Sequence, residues 1–314
     1  MSNFKRNFYH TGLEASREDI RALLDHLNPS KKLFVMKGSG VASPVGGVYE
    51  AGSDANDGLT WGTAFASIAK AIAVASAYTN WSGSPWASNV EIHIAPGKYD
   101  EYLTAMPHGC RLIGHGECWD ADGETGVLIA PTASLFAADN AVNVGAWVNG
   151  QCINIGFYTP SAVPVFDCTI LNNVLFHHCR FAGPPESTVA TAGIYTSDSV
   201  MLTVRDCRFE YLDCGIDFVY ADGGDSMTRA LIDGNFFTYI SEAGIRISTN
   251  LVTPASLIIN NFINGGGGTL AVGIDDNSGQ DDVGVWGNFI DATDAIQGIT
   301  ANVGGNYIGG SNIE

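Results

Sequence analysis

The chain has 314 residues, of which 46% are hydrophobic and 15% charged, and its formal net charge is −18 at pH 7. This apolar content can bury a large core, and it excludes an intrinsically disordered chain, in which apolar residues are few and charges many. A strongly acidic surface repels phosphates at long range, so we expect neither nucleic acid nor anionic membranes as partners. Polyuronates are disfavoured for the same reason, unless basic side chains gather at one place.

Seven cysteines occur, an odd number, and none of them forms a CxxC pair. Their spacing supports neither a zinc cluster nor a redox motif. Most lie among apolar residues, where cysteine behaves as a small hydrophobic side chain, so we expect reduced thiols in the core. His177 and His178 are neighbours in a predicted strand and should face opposite ways. With no third ligand indicated, no metal site is expected.

Residues 1–47 form a predicted N-terminal arm that is rich in basic side chains. A short amphipathic helix, ending before Pro29, places four apolar residues on one face: Ile20, Leu23, Leu24 and Leu27. The stretch KGSGVASPVGG then reads as a flexible linker. A short helix cannot bury an apolar face alone, so we expect the arm to anchor the chain to a partner or to dock on the rest of the protein. The segment lacks the apolar run of a signal peptide, and no stretch is long enough to cross a membrane.

The second predicted domain, residues 48–314, opens with an Asx/Gly turn and an alanine-rich helix near residues 63–78. Asp54, Asn56 and Asp57 in the turn could bind calcium, but their spacing does not fit an EF-hand loop, and an Asx turn explains them better. A second weak calcium candidate is the acidic loop that contains Asp275, Asp276, Asp281 and Asp282. No other cofactor is expected.

One phrase of six residues recurs from residue 152 onward. Its first position is apolar, its fourth is usually Cys or Asn, and its sixth is usually Phe or Ile. Its instances are CINIGF, FHHCRF, VRDCRF, IDGNFF, IINNFI, VWGNFI and VGGNYI, with fourth positions at 155, 179, 207, 235, 261, 288 and 306. A second phrase lies between them, AGIY, CGID, AGIR, VGID and QGIT, with glycines at 193, 215, 244, 273 and 298. A repeat of this length indicates a solenoid.

Stacking of the coils converts the repeat into columns of side chains about 4.8 Å apart. One column is a predicted internal ladder of amides: Asn235, Asn261, Asn288 and Asn306. The next column faces outward if strand alternation holds, and ends in four aromatics: Phe236, Phe262, Phe289 and Tyr307. Such a patch is large for a monomer. It could be a subunit interface, a platform for sugar rings, or a bend that tucks both columns into the core.

The opening GSDANDGLTWGTAFASIAKAI, followed by VEIHIAPGKYDEYL and RLIGHGE, resembles the start of the pectin-lyase-like superfamily. With the repeat, the resemblance covers residues 48–314. It implies an all-β fold, a right-handed single-stranded parallel β-helix with a capping α-helix at its N-terminal end. The superfamily contains lyases, hydrolases and non-enzymatic virus proteins, so it does not decide function.

The residue after each Gly-Ile pair should also face solvent, which stacks Asp217, Arg246 and Asp275. A basic residue between carboxylates suits a polysaccharide lyase, and Asp275 with Asp276 could divide acid and base roles in a hydrolase. The plain alternative is a surface ladder of ion pairs. The catalytic motifs of polygalacturonases and pectate lyases are not reproduced, which favours a protein that is not an enzyme.

Our first hypothesis is a non-enzymatic virion structural protein, a capsid-decorating, tail or fibre component of a phage. The arm would bind other virion proteins, and the solenoid, as a homotrimer, would contact the host surface. The alternatives are a polysaccharide lyase or hydrolase of the tailspike-depolymerase type and a non-catalytic glycan-binding adhesin. We expect the protein in the virion after synthesis in the host cytoplasm, or else outside the cell by a non-classical route.

Overall fold

The computed structural model describes residues 31–37, 51–78, 90–116, 125–131, 140–185, 190–220, 226–249, 251, 253, 255–265, 270–279, 282–298, 303–308 and 311–313. Several residues of the predicted motifs lie outside these ranges: Ile20, Leu23, Leu24, Leu27, Asp281 and Thr300, which follows the Gly-Ile pair of QGIT. Cys118, one of the seven cysteines, also lies outside them. The predicted N-terminal helix is therefore not part of the description that follows.

Most of the described chain is β-strand, and each complete coil contributes strands to three faces. Face 1 is a ten-stranded parallel sheet. Its strands are β1 (Lys31–Val35), β2 (Val90–Ile94), β4 (Cys110–Gly114), β7 (Gln151–Ile153), β10 (Leu175–His177), β14 (Thr203–Arg205), β17 (Leu231–Asp233), β19 (Ser256–Ile259), β22 (Val283–Trp286) and β25 (Val303–Gly304).

Face 2 follows face 1 in each coil. Its strands are β3 (Gly97–Tyr99), β5 (Val127–Ile129), β8 (Gly156–Tyr158), β11 (Arg180–Ala182), the first halves of β15 (Arg208–Phe218) and β18 (Phe236–Ile247), β20 (Phe262–Asn264), β23 (Phe289–Asp291) and β26 (Asn306–Ile308). The last described strand, β27 (Ser311–Ile313), pairs with β26 in the antiparallel direction.

Face 3 follows face 2. Its strands are β6 (Val142–Val148), β9 (Phe166–Asn172), β12 (Ala190–Thr196), the second halves of β15 and β18, β21 (Val272–Asp276) and β24 (Asp294–Gln297), with the short strands β13 (Asp198–Val200) and β16 (Met227–Thr228) beside them. Faces 2 and 3 belong to one seventeen-stranded sheet because β15 and β18 cross the bend between them. All pairings among described strands are parallel except that of β26 with β27. The prediction of an all-β parallel solenoid is confirmed.

The alanine-rich helix α1 (Ile68–Tyr78) lies within the range predicted for it. It buries Ile68, Ala71, Ile72 and Ala75 in the main core. The Glu101 carboxylate accepts the backbone N–H groups of Ile68 and Ala69 over 2.9 and 2.7 Å, which satisfies two of the free donors at the helix start. No helix among the described residues is long and apolar enough to cross a membrane.

The turn ahead of α1 uses its acidic residues for backbone contacts. Asp57 Oδ1 accepts hydrogen bonds from the Leu59 N–H (3.0 Å) and the Thr63 hydroxyl (2.6 Å). Asp54 Oδ1 accepts the N–H groups of Ala66 and Ser67, both over 3.0 Å. The Asx turn predicted at this position is confirmed, and these oxygens already have partners.

The solenoid begins earlier in the chain than the predicted boundary at residue 47. Strand β1 pairs in parallel with β2, and its Leu33 and Val35 are fully buried in the core. Residues 31–37 therefore belong to the solenoid rather than to the arm. The sequence did not indicate this strand because it has only two inward apolar positions, which alternate with basic and aromatic residues. The many basic residues around it instead favoured the prediction of an anchoring arm.

The bend between face 1 and face 2 carries a ladder of buried amides: Asn235, Asn261, Asn288 and Asn306. The residue ahead of each has a positive φ, such as Gly234 at 67°, which allows the tight bend. Cys207 extends the ladder, since its N–H donates to Asn235 Oδ1 over 2.9 Å. The aromatic residues two positions after the bend point inward, and Phe181, Phe209 and Phe237 stack in the core. The six described cysteines are free and buried, as expected.

Candidate functional site

The outward surface of face 3 carries one hydrogen-bonding side chain from each successive coil. In parallel register these are Asn143, Asp167, Tyr195, Asp217, Arg246, Asp275 and Gln297, which we call the polar row. Neighbouring members lie one strand spacing apart, about 4.8 Å. Carboxylates therefore alternate along its middle with Tyr195 and Arg246.

The Gly-Ile phrase sets the direction in which the row points. The isoleucines of the phrase, Ile194, Ile216, Ile245 and Ile274, are fully buried, so strand alternation turns the next residue outward. The glycines allow close approach of successive coils: a Cβ on Gly215 would lie 2.4 Å from the Gly244 carbonyl oxygen. The sequence alignment fails at the last coil, where Ile296 rather than the Ile of QGIT pairs with Ile274. Gln297, not Thr300, therefore completes the described row.

Arg246 lies between acidic neighbours. Its Nη2 is 2.6 Å from Glu242 Oε2, and its Nη1 is 3.5 Å from Asp217 Oδ2. Asp217 is only 8% exposed, and its Oδ1 is buried without a hydrogen-bond partner. Burial raises the pKa of Asp217, against the opposing effect of the Arg246 charge. Burial thus makes this carboxyl easier to protonate than a solvent-exposed aspartate.

Other acidic groups near the row share this behaviour. Burial raises the pKa of Asp167, which precedes Tyr195 in the row. Burial also raises the pKa of Asp213, whose Oδ1 accepts the Ser241 hydroxyl over 2.7 Å. For Tyr195 the pKa is raised by burial and by the charges of Asp217 and Asp167. Clustering of perturbed acids on one outward face is typical of a functional site.

Asp276 does not join this cluster. It follows Asp275 directly and therefore turns to the other side of β21, where it is 2% exposed and in register with the buried Ile247. Its Oδ1 accepts the Ser278 N–H over 2.9 Å. The two adjacent carboxyls cannot act together on one bond. Of the four predicted catalytic residues, the structure brings together Asp217, Arg246 and Asp275.

Asp167, Asp213 and Glu242 were not among the predicted site residues. Asp167 lies in VFDCTI, where no Gly-Ile phrase marks the strand, and only its pairing with Tyr195 places it in the row. Glu242 lies four residues before Arg246, and this spacing does not indicate contact in a strand. A bulge between Leu212 and Cys214, opposite this segment, changes the local register. For Asp213 and Glu242, the sequence feature that could have indicated a role was the density of acidic residues around each Gly-Ile phrase.

The aromatic column lies on the outward side of face 2. Phe236, Phe262, Phe289 and Tyr307 stack at centroid distances of 4.6, 4.8 and 4.9 Å, with planes within 16° of parallel. Phe236 and Tyr307 are each 40% exposed. The faces of the inner rings are covered by their neighbours, so the column offers a partner mainly ring edges. Sugar rings stack on free aromatic faces, and this arrangement therefore suits a subunit contact better than a sugar platform.

The predicted opposite orientation of His177 and His178 is wrong. His178 has a φ of 51° at the bend, so the chain reverses there and strand alternation does not apply. Their rings stack at a centroid distance of 4.2 Å. The Asp206 carboxylate lies beside them, with Oδ2 3.3 Å from His177 Nε2.

Comparison of the chain with protein-family models, with curated proteins and with solved structures gave no match.

Proposed function

We propose that the protein is a non-enzymatic structural solenoid that binds a polysaccharide along the polar row. The observation that carries the proposal is the row itself: one polar side chain per coil, in register, from Asn143 to Gln297. A small molecule usually needs a concave pocket that surrounds it. A straight row with a regular repeat of about 4.8 Å instead fits an extended polymer whose units are of similar length, as sugar rings are.

The side chains of the row are suited to sugar hydroxyls. Carboxylates accept hydrogen bonds, the guanidinium of Arg246 donates them, and the amides of Asn143 and Gln297 do both. Hydrogen bonds to charged groups are about twice as strong as those between neutral groups. Because the strands fix the spacing of these groups, a rigid polymer in register would meet one polar side chain at each successive coil.

The charge of the row selects among polysaccharides. Its acidic members outnumber Arg246, and Arg246 is already paired with Glu242 and Asp217. A polyuronate would place further negative charge beside Asp167 and Asp275. Neutral chains and chains of amino sugars are therefore the ligand classes that we expect.

A second candidate, a glycoside hydrolase, is favoured by one observation. Asp217, with its raised pKa, is two coils from Asp275. The two backbones are about 9.6 Å apart, twice the strand spacing, which is close to the upper end of the carboxyl separation of about 6.5–9.5 Å in inverting glycosidases. Asp217 would be the acid and Asp275 the base. The first proposal is preferred because Arg246 is committed to ion pairs and the row spreads its groups instead of converging on one bond.

Native affinity electrophoresis tests both candidates. The chain is run through gels that contain dextran, galactomannan, mannan, chitosan or polygalacturonate. We expect retardation by at least one neutral or amino-sugar polymer and none by polygalacturonate. Asp275→Ala and Tyr195→Ala should abolish the retardation. Asp291→Ala, an exposed acid on face 2, should leave it unchanged.

The same polymers are then assayed for release of reducing or unsaturated ends. No release is expected. Release that is abolished by Asp217→Asn would replace the binding proposal with the hydrolase, and release abolished by Arg246→Ala alone would favour a lyase. Retardation by none of the polymers would contradict both candidates.

We further propose that the solenoid is a right-handed single-stranded β-helix of the pectin-lyase-like type and a virion component, in line with the sequence. In support, each coil has three faces, an amide ladder lines one bend, and α1 packs on the first strands of face 1. The virion assignment rests on the basic arm and on the projecting solenoid that the resemblance implies. Deletion of residues 1–30, which leaves β1 intact, should abolish attachment to virion proteins and leave the fold unchanged.

The proposed homotrimer would use the aromatic column of face 2. Phe236 and Tyr307 leave 40% of their surface exposed, and continuous apolar edges of this kind are typical of subunit contacts. Light scattering at micromolar concentration should give the mass of a trimer. A monomer under these conditions would contradict this part of the proposal.

A further inference from the structure

A cluster of two imidazoles and one carboxylate lies at the bend between face 1 and face 2, away from the polar row. His177 ends strand β10, His178 follows it at the bend, and Asp206 occupies the same bend position one coil later. The φ angles of His178 and Asp206 are 51° and 52°, so both side chains leave the bend in the same way. The cluster thus spans two successive coils.

The three side chains lie within the reach of one ion. One ligand atom from each of them, a ring nitrogen from either histidine and a carboxylate oxygen from Asp206, lies within 4.8 Å of the other two. His177 Nε2 and Asp206 Oδ2 are 3.3 Å apart. Two ligands of a tetrahedral zinc ion are about 3.4 Å apart, given zinc–ligand distances of about 2.0–2.1 Å. His177 and Asp206 already meet this distance, and a rotation of the His178 ring would bring the third ligand in.

The next coil leaves space beside the carboxylate. Gly234 takes the bend position after Asp206, and a Cβ there would come within 2.9 Å of Asp206 Oδ1. A larger side chain at this position would crowd the oxygen on its outer side. The carboxylate therefore has an open approach for an ion and for the water molecules that complete its coordination.

We propose that His177, His178 and Asp206 form a binding site for a divalent transition-metal ion. Neutral imidazole nitrogens and a carboxylate oxygen are ligands that Zn²⁺, Co²⁺, Ni²⁺ and Cu²⁺ accept, whereas Ca²⁺ and Mg²⁺ prefer oxygen alone. Three protein ligands leave at least one coordination position for water or for a group from another molecule. The bound ion would join the two coils at this bend.

Arg205 is the group that opposes binding. Its Nε lies 3.6 Å from Asp206 Oδ2 and 3.4 Å from Asp233 Oδ2. The guanidinium thus shares its charge between two carboxylates. An ion on Asp206 would leave Arg205 paired with Asp233 alone. Removal of this competing cation should strengthen metal binding, an outcome that loss of structure cannot produce.

Isothermal titration of the full chain with ZnCl₂ tests the site, with variants copied from equivalent positions of neighbouring coils. His178→Asn reproduces Asn154 and Asn260, which hold the same bend with φ of 58° and 57°. Asp206→Asn also places at this bend position the asparagine that Asn154 and Asn260 provide on other coils. His177→Ile reproduces Ile153, which pairs with His177 from β7. Each should weaken the site at least tenfold with an unchanged circular dichroism spectrum. Asp291→Asn makes the same charge change as Asp206→Asn at an exposed position of face 2, away from Arg205, and is the matched control.

We expect Asp291→Asn to bind Zn²⁺ within about threefold of the wild type and Arg205→Ala to bind it more tightly. Co²⁺ should give the visible absorption of a nitrogen- and oxygen-bound ion, and His178→Asn should remove it. Wild-type affinity in all three ligand variants would overturn the proposal. So would an equal loss in Asp291→Asn and Asp206→Asn, which would mean that Zn²⁺ responds only to net charge.

Discussion

The side-chain amide of Asn261 donates to Asn288 Oδ1 over 2.9 Å, and the backbone N–H of Asn261 donates to the same oxygen over 2.8 Å. The second amide proton of Asn261 goes to the Ile232 carbonyl over 3.0 Å. One side chain thus connects the coil before it to the coil after it. All of these groups are buried away from water. Each hydrogen bond therefore gives a buried donor or acceptor the partner that water cannot supply.

Asn261→Leu should destabilise the solenoid strongly. It removes the acceptor for the Asn235 N–H and Nδ2 groups, and it leaves Asn288 Oδ1 and the Ile232 carbonyl with fewer donors. Each buried group without a partner costs about 1–3 kcal/mol, so we expect a loss of about 3 kcal/mol or more in urea unfolding. Asn260→Gly, next to it in the chain, copies Gly234 and Gly287 and should change stability by less than about 1 kcal/mol. Equal losses in the two variants would contradict the ladder.

Gly215→Ala should also destabilise the protein, since the added Cβ would lie 2.4 Å from the Gly244 carbonyl oxygen and 2.4 Å from Phe237 Cδ1. The coils would have to separate, and overpacking of this kind costs about 1–3 kcal/mol. Gly145→Ala is the control, because a Cβ there has no atom within 4 Å. It should be neutral or slightly stabilising in a thermal melt. A neutral Gly215→Ala would mean that the glycine column is not a packing requirement.

The repeat could be predicted from the sequence because equivalent positions of successive coils share one environment. Asn235 and Asn261 each have a coil on both sides, so the same residue type recurs and the alignment is visible. The repeat is out of register where a coil differs from its neighbours. At the last coil Ile296 pairs with Ile274, and the QGIT phrase that matched best by residue type was out of register.

The candidate site was harder to predict because it depends on backbone details that residue types do not reveal. In the histidine cluster, the φ of His178 is positive, so strand alternation ends there and its ring stacks on that of His177. Asp167 enters the polar row through pairing with Tyr195, which no local phrase announces. Asp275 and Asp276 looked like a pair in sequence, and the alternation of β21 separates them.

Asp167→Asn should make the protein more stable at neutral pH. Burial raises the pKa of Asp167 in the folded state above its ordinary value of 3.8. At pH values between 3.8 and this raised pKa, the folded state binds more protons than the unfolded state. Stability therefore falls as the pH rises through this window, and it stays lower above the window. Asparagine does not titrate. Thermal midpoints should therefore coincide near pH 3.5 and favour the variant at pH 7, whereas a variant of equal or lower stability at pH 7 would contradict the role of burial.

Phe262→Ala removes the ring that stacks on both Phe236 and Phe289. Aromatic pairs contribute about 0.5–1.5 kcal/mol each beyond their buried area, so we expect a loss of about 1–3 kcal/mol. Phe262→Leu keeps apolar area but not the stack and should recover about half of the loss. In light scattering, Phe262→Glu should shift the proposed trimer toward monomer. A trimer of unchanged stability in Phe262→Glu would exclude the column as the subunit contact.

Carboxyl footprinting tests the binding of polysaccharide to the polar row most directly. The chain is labelled with a carbodiimide and an amine, alone and with dextran, galactomannan, mannan or a fully N-acetylated chitin oligosaccharide, and the labelled acids are identified by mass spectrometry. With at least one polymer, we predict reduced labelling of Asp275 and Glu242 on face 3 and unchanged labelling of Asp291 on face 2. Unchanged labelling of Asp275 and Glu242 with every polymer, or protection of Asp291 instead, would contradict the account.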